Sequence, residues 1–413
     1  MNKRTRKFLV SVSSRSFFVG ITLGLLAVVI AAPRAAWSAS SAAGGPGGTV
    51  ALPACGNDPN ANTRALQRAI NEARPGATLT LPPGVCVLAK CEFATGTSCS
   101  GIENTGRHRS ALYIGERREL TLAGAADGTS VLKLDPDPPR DSDGRHGYCG
   151  DTYLLSIQGS SKIALRGFTV NGSDGELPED ANQCGTGKRI AEHMHGVRVM
   201  NSTDITIDRM KIIRAHGDGL NLMANLGETT IPRTERISVT DTQFLDNDRA
   251  GLSFQRNVGY VTVRGNYFKN SGDDQDLDME ATGRVRNQDP EQDPNQGPYE
   301  VEIDNNLFER TRPGLTVTLG SKGVLRSTGI RFTRNTIRPV SSMPESEGGG
   351  CIFVDGADNS IIENNTVIGG QNCVTLEAQR VSNLRIRNNR FEGYANRKRE
   401  ENGEEKSEDG KGS

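Results

Sequence analysis

Residues 271–280 read SGDDQDLDME, and within them Asp276, Asp278 and Glu280 alternate with Leu277 and Met279. In a β-strand that alternation sends the apolar pair to one face and the three carboxylates to the other. With a rise of about 3.3 Å per residue, neighbouring carboxylates of the row stand roughly 6 to 7 Å apart, and their like charges repel. Such a row adds nothing to folding stability, so it points to a site. One carboxyl can donate a proton while its neighbour activates water, and inverting glycoside hydrolysis needs about 6.5 to 9.5 Å between the two. Asp276 with Asp278, or Asp278 with Glu280, meets the lower limit. Alternatively the three hold Ca²⁺, a hard cation that takes carboxylate oxygens.

A row of this kind needs a strand whose inner face is buried and whose neighbours keep the register. Seven segments supply that frame: HGVRVM from His195, DGLNLM from Asp218, AGLSFQ from Ala250, QDLDME from Gln275, PGLTVT from Pro313, GCIFVD from Gly350 and NCVTLE from Asn372. Aligned this way, the third and fifth positions are apolar throughout and the fourth and sixth vary. A second strand follows each, as in VTVRGNYF from Val261, VEIDNNLF from Val301, IRFTRNTI from Ile330 and LRIRNNRF from Leu384. Two short strands per repeat of about 22 to 40 residues are the mark of a solenoid. A solenoid can also exceed the usual length of one domain, because each unit packs only on its neighbours.

Asn266, Asn306, Asn335, Asn365 and Asn389 recur at one place in successive repeats, where the strand bends. Asparagine tolerates left-handed backbone, and its amide can bond the amides above and below, so the column predicts a ladder at a β-helix corner. Upstream, NTRALQRAINEARPGATLTLPPGV from Asn62 predicts an amphipathic helix with Leu66, Ala69, Ile70 and Ala73 on one face.

With these marks the chain resembles the right-handed parallel β-helix proteins of the pectate-lyase-like superfamily over residues 58–394. The resemblance implies an all-β fold, a right-handed parallel β-helix (solenoid) with an N-terminal capping helix that plugs the open coil. It implies a range of activities, since this architecture hosts lyases, hydrolases, epimerases, tailspikes and adhesins. Polygalacturonase-like members carry Asn-Thr-Asp, Asp-Asp, Gly-His-Gly and Arg-Ile-Lys in that order. This chain has Asp273 with Asp274 and His216 with Gly217 in reverse order, and lacks Arg-Ile-Lys and the epimerase Asp-Pro-His. No catalytic residue carries over from those motifs.

The repeat alignment projects an outer wall. Arg198, Asn221, Ser253, Asp278 and Thr316 fall at the fourth position, and Met200, Met223, Gln255, Glu280 and Thr318 at the sixth. Asn221, Ser253, Gln255, Thr316 and Thr318 are therefore candidate substrate-binding residues around the acids. In a lyase of the superfamily Ca²⁺ would neutralise a uronate while Arg249 or Arg198 abstracts the proton. A solvated strand face is the plain rival, but such faces mix signs. A second cluster, His193, His195 and His216 with Asp218, suits a transition metal or a general base, or a stacked polar turn without function.

Three insertions interrupt the coils at residues 135–151, 172–192 and 284–298, and are expected to wall a groove. The eight cysteines lie outside residues 1–40 and none has zinc-site spacing. Cys149 with Cys184 would tie the first two insertions, and Cys351 with Cys373 would bridge neighbouring rungs about 4.8 Å apart. Cys55, Cys86, Cys91 and Cys99 staple the cap in one of three pairings.

Residues 1–40 combine Lys3, Arg4, Arg6, Lys7 and Arg15 with an apolar core at 17–32 and a small-residue run, and are read as a secretory signal peptide. Residues 41–57 are read as a flexible leader and 395–413 as a disordered charged tail. The product is expected to be secreted or periplasmic, with no stable membrane insertion after signal removal. A net charge of −1 gives no basis for nucleic-acid binding. The sequence thus predicts an exported enzyme that cleaves a polysaccharide by hydrolysis or elimination, possessing at most Ca²⁺ as cofactor. The alternative is a non-catalytic carbohydrate-binding β-helix with structural Ca²⁺.

Overall fold

The computed structural model describes residues 47–89, 110–137, 152–176, 194–224, 233–271, 275–280, 297–309, 317–320, 326–338, 352–368, 377–379, 381–392, 399–401 and 404–406. Residues 1–40, which the sequence reads as a signal, and His193, Thr316, Cys91, Cys99, Cys149, Cys184, Cys351, Cys373 and most of the three insertions lie outside these residues.

Each coil gives one strand to each of three parallel sheets, as in Met194–Met200, Thr203–Asp208 and Lys211–Ile213, before Leu220–Met223 begins the next. The sheet containing Thr203–Asp208 is called the first, that of Lys211–Ile213 the second, and that of Met194–Met200 the third. Inward columns run in register: Ile205, Ile237 and Val261 in the first sheet, Phe244, Phe268 and Phe308 in the second, Leu220, Leu252 and Leu277 in the third. All nine are buried. Phe244, Phe268 and Phe308 stack with centroids 4.7 Å apart, the spacing of the strands that carry them.

The asparagine ladder forms between the first and second sheets. Side-chain amides run Asn266 to Asn306, Asn335, Asn365 and Asn389 with Nδ2 to Oδ1 distances of 3.0, 3.0, 3.1 and 2.9 Å. Each Oδ1 also accepts the backbone N–H of the preceding rung's asparagine, as Asn306 does from Asn266 at 2.9 Å. The left-handed residue is the one before the ladder, Gly265, Asn305, Asn364 and Asn388 among them, rather than the ladder asparagine itself.

A second column is left-handed at the entry to the first sheet. Glu119, Lys162, Asp204, Arg236, Tyr260, Glu300, Gly329, Asn359 and Asn383 all have φ between 49° and 69°. The flanking pairs place them one above another from coil to coil. Lys162 Nζ donates to Glu119 at 2.7 Å, and Arg236 grips Asp204 at 2.7 and 3.1 Å.

The helix Pro59–Glu72 starts on an Asp58 cap that accepts from the N–H groups of Asn60 and Ala61 at 2.9 and 3.2 Å. Leu66 and Ile70 enter the core, while polar side chains satisfy the open end of the first coil. Gln67 bonds both the N–H and C=O of Tyr113 at 2.8 Å, Asn62 donates to Val87 O at 2.9 Å, and Thr63 to Ala89 O at 3.0 Å. An edge that could pair with another chain is thereby closed.

Three expectations are corrected. Residues 41–57 are not wholly a loose leader, because Thr49–Ala51 pairs with Thr78–Thr80 and Cys55 is bonded to Cys86 with a Cα separation of 5.3 Å. The tail carries two strands, Arg399–Glu401 and Glu404–Lys406, paired antiparallel. Finally, the repeat alignment slips by two residues after Gln275–Met279: Leu277 faces Val317 and Asp278 faces Thr318. Thr318 therefore neighbours Asp278, not Glu280. Further on, Val354 faces Ala378.

Candidate functional site

The outer face of the third sheet carries one column in register: Ser156, Arg198, Asn221, Ser253, Asp278 and Thr318. All six are buried, which is unusual for an outward column of polar residues. Asp218 stands just before its strand and reaches into the column. Its Oδ2 accepts from Ser253 Oγ at 2.5 Å and from Asn221 Nδ2 at 3.1 Å. Ser253 also accepts from Asn221 Nδ2 at 2.8 Å. Asp278 lies on the opposite side of Ser253, one coil further on.

Arg249 joins this group to the strand end. Its Nε is 3.7 Å from Asp218 Oδ1, and its terminal nitrogen donates to Glu280. Asp218 is fully buried and Arg249 is 15% exposed at its side chain, so the attraction acts in a medium of reduced dielectric. On the other flank Arg198 lies over the Tyr153 ring, 4.5 Å from its centroid, and donates to the Tyr153 hydroxyl. Its other contacts are the Met200 and Met223 sulfurs at 3.1 and 2.9 Å. Among the described residues no carboxylate pairs with Arg198, and its Nε has no hydrogen-bond partner.

The acidic row expected at residues 276–280 does not form as a row. Asp276 occupies the position held by Gly196, Gly219 and Gly251 in earlier coils. A Cβ at Gly251 meets Phe268 at 2.9 Å and Ser271 Oγ at 3.0 Å, so this position faces the turn rather than the outer wall. Asp276 Oδ1 accordingly accepts from the Ser271 N–H at 2.9 Å. Glu280 is engaged by Arg249, and only Asp278 remains in the outer column. Gly196 and Gly219 likewise face neighbouring coils rather than solvent, so strict alternation does not extend past the first apolar residue of these strands. These three carboxylates do not converge, and among the described residues no three His, Cys, Asp or Glu side chains gather as a metal site. The set does not fit Ca²⁺, and no step is derived through it.

The histidine cluster divides as well. His195 Nδ1 accepts from the Asp218 N–H at 2.9 Å and lies 3.3 Å from Asp218 Oδ2, within the outer array. Because Nδ1 accepts there, its proton belongs on Nε2. His216 is elsewhere, with Nδ1 2.7 Å from Asp174 Oδ1 and 3.6 Å from Asp248 Oδ2. Gln255 is half-buried beyond Phe254, its N–H bonded to Leu222 O at 2.8 Å. Sequence reasoning missed Tyr153, which stacks on His195 with centroids 5.5 Å apart. Its place opposite His195 in the preceding coil was the available signal.

The family profile described as "Right handed beta helix region" matches residues 293–398. No protein among those of curated function matches the chain. Among solved structures it is similar to PfbA, a surface adhesin of Streptococcus pneumoniae, at 10% identity and TM-score 0.48, over 83% of this chain and 90% of that one. Pectate lyase Pel9A is similar at 13% identity and TM-score 0.46, over 79% and 74%. An endo-xylogalacturonan hydrolase from Aspergillus tubingensis is similar at 11% identity and TM-score 0.38, over 83% and 95%. With three parallel sheets and coil-by-coil register, the chain has the right-handed parallel β-helix fold.

Proposed function

We propose that the protein cleaves glycosidic bonds of a polysaccharide at the outer face of the third sheet, using Asp218, Arg249, Asp278 and Glu280, with Arg198 holding an acidic sugar. One observation carries this reading: five charged residues over successive coils are drawn into a face that a solenoid can fill with cheap polar or apolar side chains. Burying charge costs more than its pairing returns, and a hydrophobic set of similar volume does as well or better for stability. Asp218 and Asp278, on either side of Ser253, supply a carboxylate pair for hydrolysis. The guanidiniums of Arg198 and Arg249 suit a uronate carboxylate, which elimination must neutralise. Carbohydrate as substrate also accords with the names of the lyase and the hydrolase whose structures are similar, though that likeness is one of fold.

A second reading, a non-catalytic carbohydrate-binding β-helix, is favoured by a specific fact: Asp276 and Asp278 are 0 and 1% exposed. The test is incubation with neutral and uronate polysaccharides, with and without chelator, for the wild type, Asp278→Asn and Arg249→Ala. Unsaturated products mark elimination, and reducing ends without unsaturation mark hydrolysis. Loss of a carboxylate or cation that acts on the reacting bond lowers kcat by about 10² to 10⁴. Folded variants with wild-type turnover overturn the site, and binding without turnover across the panel selects the second reading.

A further inference from the structure

Tyr260 departs from its column. The residues stacked below it alternate in charge, Glu119, Lys162, Asp204 and Arg236, and each is paired with a neighbour by hydrogen bond or Coulomb attraction. Arg236 is followed by a tyrosine where an acid would extend the series. Tyr260 is 54% exposed and is the one aromatic in this column among the described residues. It also holds φ at 52°, a conformation in which a bulky side chain is rare and costly. A lone exposed aromatic is ordinary. One held in left-handed backbone, where asparagine or glycine sits more comfortably, calls for a reason.

The surroundings supply one. Tyr299 meets the Tyr260 ring edge-on, with centroids 5.5 Å apart and an interplanar angle of 84°. Gly259 makes room for this, since a Cβ there would lie 2.2 Å from the Tyr299 ring. Tyr299 is itself fixed: its hydroxyl donates to Glu235 and accepts from Arg233 at 3.2 Å, and the Arg233 guanidinium carbon is 5.5 Å from its ring centroid. Burial, then the bond to Glu235, push the Tyr299 hydroxyl up to about 12, so it stays protonated. Arg233 is 46% exposed at its side chain and Arg236 52%. The result is one rigid, exposed aromatic face with charged hydrogen-bonding groups on its rim.

We propose that Tyr260, braced by Tyr299 and rimmed by Arg233 and Arg236, is a stacking platform for a sugar ring of an acidic polysaccharide. A pyranose presents C–H groups to an aromatic face and hydroxyls or a carboxylate to the rim, which is what this surface can satisfy. A protein partner fits less well. The other large exposed apolar side chains among the described residues are Val50 and Val85 in the first coil, far short of the roughly 800 Å² per side that a stable protein interface needs. The platform lies at the start of the first-sheet strand Val258–Arg264, past the end of the third-sheet strand that carries Ser253 of the outer column, and so serves as an outlying subsite. It rests on the polysaccharide reading for its ligand class, not on any cleavage chemistry.

The experiment is affinity electrophoresis through gels containing individual neutral or uronate polysaccharides, run on the full chain and on Tyr260→Ala, Tyr260→Trp, Tyr260→Asn and Asp278→Asn, with thermal melts of each. The expected result is about tenfold weaker retardation by a uronate polysaccharide for Tyr260→Ala and Tyr260→Asn, retention in Tyr260→Trp, and an Asn variant melting no lower than wild type. Tyr260→Ala and Tyr260→Asn retarded as wild type, or no polysaccharide retarding the wild type at all, overturns the platform. Asp278→Asn separates the two proposals. If it binds and turns over as wild type while Tyr260→Ala loses binding, the cleavage site is wrong and the platform stands.

Discussion

Asn306→Ala removes one rung from the middle of the asparagine ladder, and its cost can be worked from the bonds. Asn306 Oδ1 accepts from the Asn266 N–H at 2.9 Å and from Asn266 Nδ2 at 3.0 Å, while its Nδ2 donates to Val263 O and Asn335 Oδ1, both at 3.0 Å. Asn266 Nδ2 keeps its bond to Val239 O and Asn335 Oδ1 keeps the Asn306 N–H, so the full penalty falls on the Asn266 N–H and the Val263 carbonyl. Two buried groups stripped of these partners cost about 3 kcal/mol together, taking 1 to 3 for each. Asn389→Ala is the internal control. It accepts from the Asn365 N–H and Nδ2 and donates to Ile362 O in the same way but is half-buried, so water replaces what is lost and the cost is about 1 kcal/mol. Because solenoids open locally, amide exchange reads this better than a single melting temperature. The Asn266 amide should exchange about a hundredfold faster in Asn306→Ala, and segments distant by several coils should be unchanged. If both variants cost the same, or if Asn266 exchanges as in wild type, the ladder is decoration and the reasoning is wrong.

Acid is the next lever. Asp358 is held below the usual carboxylate range by its hydrogen bond from Arg326, and Asp204 by Arg236; for Asp304 burial pushes up, but Arg334 and Thr333 outweigh it. A carboxyl depressed on folding contributes stability present above its unfolded value, about 3.9, and lost as pH falls through its folded value. Melting temperature should therefore be level at neutral pH and drop below about pH 4, and Arg326→Ala should flatten that drop; an unchanged slope in the variant refutes the assignment. Breaking Cys55–Cys86, which spans a sequence separation of 31, should cost about 3 to 4 kcal/mol by the loop-entropy estimate. Denaturant unfolding of Cys55→Ser with Cys86→Ser tests this, and a loss under 1 kcal/mol would show that Gln67 and Asn62 close the first coil unaided.

The coils were readable because their inward residues obey strict rules: Leu252 and Phe254, or Val261 and Val263, cannot be exchanged for polar residues without emptying the core. The asparagine column was readable for the same reason, since it repeats at a fixed offset from those pairs. What failed did so at turns. Asp276 follows the alternation by residue type, yet its carboxylate takes the Ser271 N–H, a backbone detail that side-chain types do not encode. The slip that moved Thr318 beside Asp278 came from treating PGLTVT as the strand, when the strand is Val317–Gly320. Its apolar pair is Val317 and Leu319, and Leu315 with Val317 imitates the same pattern two residues early. The Arg249 bridge between Asp218 and Glu280 joins residues from three successive coils and has no local sequence signature. In the sequence Arg249 reads only as a candidate base and Asp218 only as a neighbour of the histidines.

The Gln67 clasp on Tyr113 gives the rod a direction. With both main-chain groups of that residue occupied, addition of a further strand to the third sheet is hindered at Tyr113, while the opposite terminus has half-exposed side chains such as Leu384, Ile386 and Phe391. A nascent polypeptide emerging helix first therefore meets its finished lid before its walls, and can lay each turn on a completed floor. Stripped of Gln67, the third sheet would present the main chain of Tyr113 as a bared rung for another strand.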